Sequence, residues 1–343
     1  MTNPTQAQAD TEIIGSAGPA DAVDPAAAPE LKGRSPGQIM WRRFLRDRTG
    51  VISAVIVALF LLVAICAPLI SMVYGKNPSE TYGQNTPGLL TEIGGLPTGP
   101  NGGISSDFWF GLEPGLGRDV LMQLVYGIRT SLLIAVVTTL ATTFLGITIG
   151  MIAGYVGGKT DYFIGRFIDV LLSFPSQIFF IACVPVVDSL FVSPDEQTPV
   201  WLRTVTVIIV LSILGWMGLA RILRAVSLSL REREFVEAAR VTGASPMRII
   251  FKELLPNLWT PILVQSTLAL PAFVTAEAGL SYLGVGIIEP TPDWGRMISI
   301  GANYYQTDIT YLFFPGVSMV IFVLAFNLLG DSVRDAFDPK TKR

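Results

Sequence analysis

Six stretches of this chain are almost free of charged side chains. The runs at residues 51–73, 132–153, 204–220, 258–276 and 309–330 hold no Asp, Glu, Lys or Arg, and the run at 167–187 holds one, Asp169. A helix rises about 1.5 Å per residue and needs about 20 apolar residues to cross a bilayer. Each run therefore predicts a membrane-spanning helix; the short one at 204 continues through Ile222-Leu223. The pattern describes an all-α polytopic membrane protein with six transmembrane helices. Pro175, Pro185, Pro261, Pro271 and Pro315 fall within these runs and are expected to interrupt the helical ladder locally.

The polar connections orient the chain. Only Lys76, Arg118, Arg129, Arg203 and Arg296, of 24 Lys and Arg residues, fall on the side that would face outward. The others flank the first run, lie in the second-to-third and fourth-to-fifth connections, or sit in the C-terminal tail. Cytoplasmic loops are the basic ones, so both termini and the 225–257 connection are predicted cytoplasmic, with Gly102 and Asp195 outside. Composition agrees: of 343 residues half are hydrophobic and 15% charged, with a mean hydropathy of +0.53, where soluble domains carry about 25% charge. The protein is thus expected in the cell membrane as a multi-pass chain in contact with lipid, with no nucleic-acid partner.

Residues 1–38 are read as a separate cytoplasmic tail. They are rich in Ala, Pro, Asp and Gln, and residues 1–30 hold five acids and no base. Such a segment cannot bury a core and is expected to be disordered. It lacks the basic start and early apolar region of a signal peptide. Residues 39–343 form the membrane domain. Within it, 74–130 make a long outer loop, rich in Gly, Pro and Asn, and lead into the second helix. That loop reads equally as a partner contact or as a passive spacer.

The 225–257 connection is the most informative segment. Residues 231–239 can form a helix, and Gly243 supplies a positive-φ stop. Ser245 is a suitable N-cap and Pro246 a suitable first residue for a second short helix, ending before Pro256. Glu237-Ala238-Ala239, Gly243 and Leu255-Pro256 follow the spacing E-A-A, three residues, G, nine residues, I, one residue, L-P, with Glu253 in place of the Ile. This segment resembles the EAA loop in membrane subunits of binding-protein-dependent ABC importers. The resemblance implies that Glu237, Ala238, Ala239, Gly243, Leu255 and Pro256 form coupling helices seated in a groove of a cytoplasmic ATPase.

The resemblance extends over about residues 40–343. Gly117-Arg118-Asp119-Val120, Tyr126-Gly127-Ile128-Arg129-Thr130-Ser131-Leu132, Gly154-Tyr155-Val156-Gly157-Gly158 with Asp161, Arg166 and Asp169, and Ser173-Phe174-Pro175 are similar to the dipeptide/oligopeptide subgroup. So are Gly279-Leu280-Ser281-Tyr282-Leu283-Gly284-Val285-Gly286, Trp294-Gly295 and Asn327-Leu328-Leu329-Gly330-Asp331. A C-type permease subunit is implied. Its implied partners are a homologous B-type permease, two cytoplasmic ABC ATPases that bind the ATP and Mg, and an extracytoplasmic substrate-binding protein. Peptides are the implied substrates; nickel chelates, glutathione or another small solute remain open. The chain departs from the subgroup at 110–115, where Phe110-Gly111-Leu112-Glu113-Pro114-Gly115 replaces an L-G-T-D motif, and 84–106 reads as an insertion.

No catalytic chemistry of its own is legible. Gly157-Gly158-Lys159-Thr160 looks like a phosphate loop, but Ala153 stands where that loop needs its first Gly. There is no His to relay protons, ligate a metal or activate a serine, and Cys66 and Cys183 lie in spans as packing residues. No enzyme activity, cofactor or metal is expected in the chain. A stand-alone secondary transporter would show related halves and midplane charges in both; no repeat links 51–187 with 204–330. Three polar groups remain as path-lining or helix-packing candidates: Glu277, within the fifth span; Asp169, expected to pair with Arg166 or reach water; and Ser173.

Overall fold

The computed structural model describes residues 36–193 and 195–337. The acidic tail up to residue 35 and the basic C-terminal tail beyond 337 lie outside the described residues. Residues 36–38, expected to be disordered, instead open a helix, α1 (Pro36–Arg46). The other helices follow as α2 (Arg48–Tyr74), α3 (Tyr82–Asn85), α4 (Val120–Val156), α5 (Gly158–Leu172), α6 (Ser176–Ser189), α7 (Val200–Gly215), α8 (Met217–Leu230), α9 (Glu234–Val241), α10 (Pro246–Ile249), α11 (Leu255–Asn257), α12 (Trp259–Tyr282), α13 (Trp294–Tyr304) and α14 (Thr310–Phe337). No strand occurs among the described residues.

Helix ends follow local chemistry. Asp47 precedes α2 and accepts the Thr49 N–H at 3.1 Å; Asp119 precedes α4 and accepts the Met122 N–H at 2.8 Å. Both satisfy amide groups that a helix start leaves unpaired. Gly75 closes α2 with φ +74°, a conformation that costs a residue with a Cβ.

Five helical segments are long and apolar enough to cross a membrane: α2, α4, the continuous α7–α8 pair over Val200–Leu230, α12 and α14. The expected third span differs. It is a bent pair, α5 and α6, meeting at 89°, so the count reaches six only if the pair is one span. Pro175 causes the break. It donates no amide hydrogen and disfavours helical backbone at Phe174, so α6 starts afresh with Pro175 as its N-cap. Pro68, Pro185, Pro271 and Pro315 remain inside helices, and Pro261 occupies the first turn of α12, where no amide partner is lost.

Helix α4 is the axis of the bundle, packed against α8, α12, α2 and α7. Its tightest neighbour is α8. Gly146, Gly150 and Gly154 form one stripe, and a Cβ on Gly150 would lie 2.7 Å from the Ala220 carbonyl oxygen and 3.1 Å from Leu223. In a membrane, helices associate through such close backbone approach. Large apolar side chains meanwhile point outward, including Ile65 and Leu69 on α2 and Leu140 and Phe144 on α4. That surface suits lipid.

The long loop is not structureless. Leu90 pairs with Pro97 and Leu112 with Asp119 in short bridges. The Lys76 ammonium sits 3.5 Å from the Phe108 ring centre and 4.7 Å from that of Tyr82. Glu113, in the stretch that departs from L-G-T-D, is buried against Arg118, whose Nη2 donates to Glu113 Oε1 at 2.7 Å. Gln123 donates to the same carboxylate at 3.0 Å, and the Tyr311 hydroxyl lies 2.9 Å from Gln123 Oε1 and 3.1 Å from Glu113 Oε1. Burial opposes the Arg118 charge, but the Glu113 carboxylate outweighs it and holds that guanidinium above its ordinary range. The loop is thereby tied to α4 and α14.

The glycine stripe yields a direct expectation. Gly150→Leu forces α4 away from α8 and should cost about 1–3 kcal/mol, the range for overpacking. Thermal unfolding of the purified membrane protein should show the loss; an unchanged midpoint would contradict the packing.

Candidate functional site

The polar segment between α8 and α12 folds on a hydrophobic base. At about 1.5 Å per residue α4 is about 55 Å long, more than a bilayer's apolar core of about 30 Å. Its last turns, with the first half of α8, supply Met151, Leu219 and Leu223 to a cluster with Val236, Ile249, Ile250, Leu254, Leu258 and Ile262. Val236, Leu254 and Leu258 are fully buried. The segment is thus fastened to the ends of two spans.

Its turns follow the sequence closely. Helix α9 begins at Glu234, three residues later than expected, because Arg233 adopts an extended conformation. Gly243 has φ +80°. The Gly243 N–H donates to the Arg240 carbonyl and the Ala244 N–H to the Ala239 carbonyl, each at 3.0 Å, which is a Schellman closure. Ser245 accepts the Arg248 N–H at 3.4 Å with Pro246 at the first helical position. The second helix does not stop before Pro256. It widens into a π turn over Ile250–Leu254, where Leu255 N–H reaches the Ile250 carbonyl, and then runs through Pro256 in α11. The wide turn accommodates the proline ring, which in a regular α-helix would meet the Lys252 carbonyl. Glu253, at the expected Ile, lies within that turn.

Ala239 and Leu255 pack on the base, whereas Glu237, Ala238, Gly243 and Pro256 are exposed. So are Phe235, Val241, Met247 and Phe251; Val241 is 83% and Met247 62% exposed. The segment therefore buries one face in its own chain and presents an apolar, charge-flanked face elsewhere.

Helix α5 joins the same end of the bundle through ion pairs absent from the sequence expectations. Arg224 of α8 grips Asp161 through both oxygens, with Nη2 to Oδ2 at 2.8 Å. Asp169 pairs with Arg221 at 3.4 Å, not with Arg166, whose guanidinium lies over the Tyr162 ring. The matching signal was one acidic face on α5 opposite two arginines a turn apart on α8. Ser173 caps α5, its hydroxyl donating to the Val170 carbonyl at 2.6 Å.

Beside the bend lies a groove the sequence reading missed. One cavity of about 190 Å3 is lined by Thr142, Thr143, Gln265 and Ser266; a second of about 450 Å3 is lined by Phe174, Gln177, Ala272 and Ala276. They share Gly215 and Ala269. The signal was the run of small and polar residues on one side of α12. Glu277 is not in this groove: it is completely buried and accepts the Ser281 hydroxyl at 3.1 Å.

A bundle with a fastened polar segment at one end and a small-residue groove has the plan of a membrane permease. Residues 146–343 match the family described as binding-protein-dependent transport system inner membrane component, and residues 35–87 match the N-terminal transmembrane domain of oligopeptide transport permease C. The chain is similar to the dipeptide transport system permease protein DppC of Alkalihalophilus pseudofirmus, with 33% identity over 90% of this chain and 91% of that one. It is also 33% identical to the oligopeptide transport system permease protein OppC of Haemophilus influenzae over 91% of each, and 35% identical to DppC of Bacillus subtilis over 89% and 86%. A chain from inward-facing structures of the MetNI methionine ABC transporter aligns with a TM-score of 0.51 over 64% of this chain and 98% of that one, at 20% identity, a likeness of fold. The chain belongs to the family of binding-protein-dependent transport system inner membrane components. It is a multi-pass permease subunit of the inner membrane.

Leu254 tests the fastening. Leu254→Ala should cost about 2–5 kcal/mol locally. Protease cleavage at Arg240 of α9 should speed up while the spans stay folded; unchanged cleavage would show that the segment does not depend on its base.

Proposed function

We propose that the chain forms half of the translocation path of an ATP-driven peptide importer and transmits motion from cytoplasmic ATPases. The observation that carries this reading is mechanical continuity. The α9–α11 segment is fastened to α4 and α8, offers an exposed face, and passes through buried Leu258 directly into α12. The far side of α12 lines the groove. A push on α9 and α10 therefore moves a groove wall. A homologous permease closes the other side of the path, a substrate-binding protein delivers from outside, and two ATPases carry the ATP and Mg. Peptides are the substrates by likeness to the dipeptide and oligopeptide permeases.

In this reading Glu237, Ala238, Gly243 and Pro256 form the coupling surface, and Ala239 and Leu255 hold it on its base. ATP closes the ATPases, their groove shifts α9 and α10, and access to the path alternates. The assembled importer in proteoliposomes tests it by ATP-dependent uptake of labelled di- and oligopeptides. Gly243→Val imposes a Cβ at positive φ, costing about 1 kcal/mol or more, and Glu237→Lys reverses the charge of the docking face. Both should insert normally, lose uptake and uncouple ATP hydrolysis. Ala272→Trp should block uptake by filling the groove. Normal uptake by all three would sink the coupling and path assignments, and absent peptide uptake by the native importer would sink the substrate.

Orientation is tested separately. Single cysteines at positions 159 and 240 should resist an impermeant thiol reagent in intact cells, in a background lacking Cys66 and Cys183, and those at 102 and 195 should react. The reverse pattern would invert the topology.

A further inference from the structure

The junction of α12 and α13 buries two acids that form no ion pair among the described residues. Glu277 lies near the end of α12, Asp293 is the N-cap of α13, and both are 0% exposed. The two helices are pressed together here: a Cβ on Gly295 would lie 2.7 Å from the Ala278 Cα and closer still to its carbonyl oxygen. Asp293 Oδ1 accepts the Arg296 N–H at 3.0 Å. Ser281 donates to Glu277 Oε1 while accepting the Ile287 N–H at 3.0 Å, and is within reach of Asp293 as well. From α4, Ser131 lies beside Glu277 and accepts the Trp294 N–H at 3.4 Å. The Trp294 indole reaches Ser318 of α14. Arg296 is the basic group acting on Asp293, but its guanidinium is held away by Glu289 at 3.1 Å and the Thr291 carbonyl at 3.0 Å.

Two oxygens are left over. Glu277 Oε2 and Asp293 Oδ2 are buried and have no hydrogen-bond partner among the described residues. Two neighbouring carboxylates fully buried from solvent repel and lose solvation, yet one hydrogen placed between two orphan acceptors satisfies both. A divalent cation would want six or more oxygens, and the serine hydroxyls are already engaged with backbone amides.

We propose that Glu277 and Asp293 share a single proton, making a carboxyl–carboxylate clamp that holds the end of α12 to the start of α13 against α4. The clamp sits on the helix that begins at the α9–α11 segment, at the opposite end. It is independent of the peptide and coupling readings. Burial pushes Asp293 up to about 6. The folded pair therefore retains a proton that unfolded carboxyls, at about 4, have released. The stability the retained proton adds is fully present below about pH 4 and is lost as pH rises through about 6.

The test uses the assembled importer in lipid nanodiscs, with Glu277→Gln and Asp293→Asn. Each amide can donate the missing hydrogen itself, and Asn also keeps the helix cap, so both variants should fold. The wild-type unfolding temperature should fall between about pH 5 and about pH 8, and both variants should lose that slope. Infrared spectra at acid pH should show a neutral carboxylic acid band in the wild type that each variant lacks. Equal slopes in wild type and variants, no such band, or stabilisation by added sodium or calcium instead of by acid would overturn the proposal.

Discussion

Close backbone contact between α4 and α8 is the constraint on which the rest of the molecule rests. Lipid tails are as apolar as leucine, so no hydrophobic force drives two spans together. Van der Waals contact over a smooth surface must do it, and Gly146, Gly150 and Gly154 provide that surface against Ala220, Leu223 and Ser227. Once the two helices are joined, their protruding ends create the only kind of platform on which a short polar segment can fold. Val236, Leu254 and Leu258 bury themselves there, and α5 docks beside them through Asp161 and Arg224. Each later feature at that end presupposes the first contact.

At the opposite end, order comes from polar chemistry rather than from close packing. A loop rich in glycine would be loose if only its backbone held it. The buried Glu113 carboxylate gathers Arg118, Gln123 and Tyr311 around itself, and Lys76 lodges against aromatic rings. Buried networks of this kind are stable only when every member is satisfied, and here the loop, α4 and α14 each contribute a member. The protein thus has two differently built ends joined by the long helices.

Much of this was legible in the sequence, for physical reasons. Long uncharged runs permit little besides spanning helices, so α2, α4, α12 and α14 were placed directly. The Gly243 stop and the Ser245-Pro246 start were legible because a positive φ and a helix cap each demand particular residue types. What escaped depends on neighbours distant in the chain. An interruption at Pro175 was legible, but not the 89° bend it produces, because hydropathy does not register backbone direction. Asp169 was expected to pair with Arg166 or reach water; it is exposed, and helix packing brings Arg221 rather than Arg166 to it. The groove on α12 arises from what α4, α6 and α8 leave uncovered, and no single helix encodes that. The stripe of glycines was readable, since its period of four residues is local, and it went unread among residues of similar hydropathy.

The π turn before Pro256 has a consequence for the register of the chain. A π turn takes up one more residue than the α turn it replaces, so it acts as a single residue spliced into the helix. Because α11 and α12 follow it, that extra residue sets the rotational phase of everything downstream. A regular α-helix turns about 100° per residue. Had the same residues between Ile250 and Leu254 stayed fully α-helical, α12 would be rotated by about that angle. Gln265, Ser266 and Ala269 would leave the groove, and Glu277 would turn out of the packed junction it now shares with Ser281. One residue of slack in a surface turn thus decides which side of a spanning helix faces the cavity.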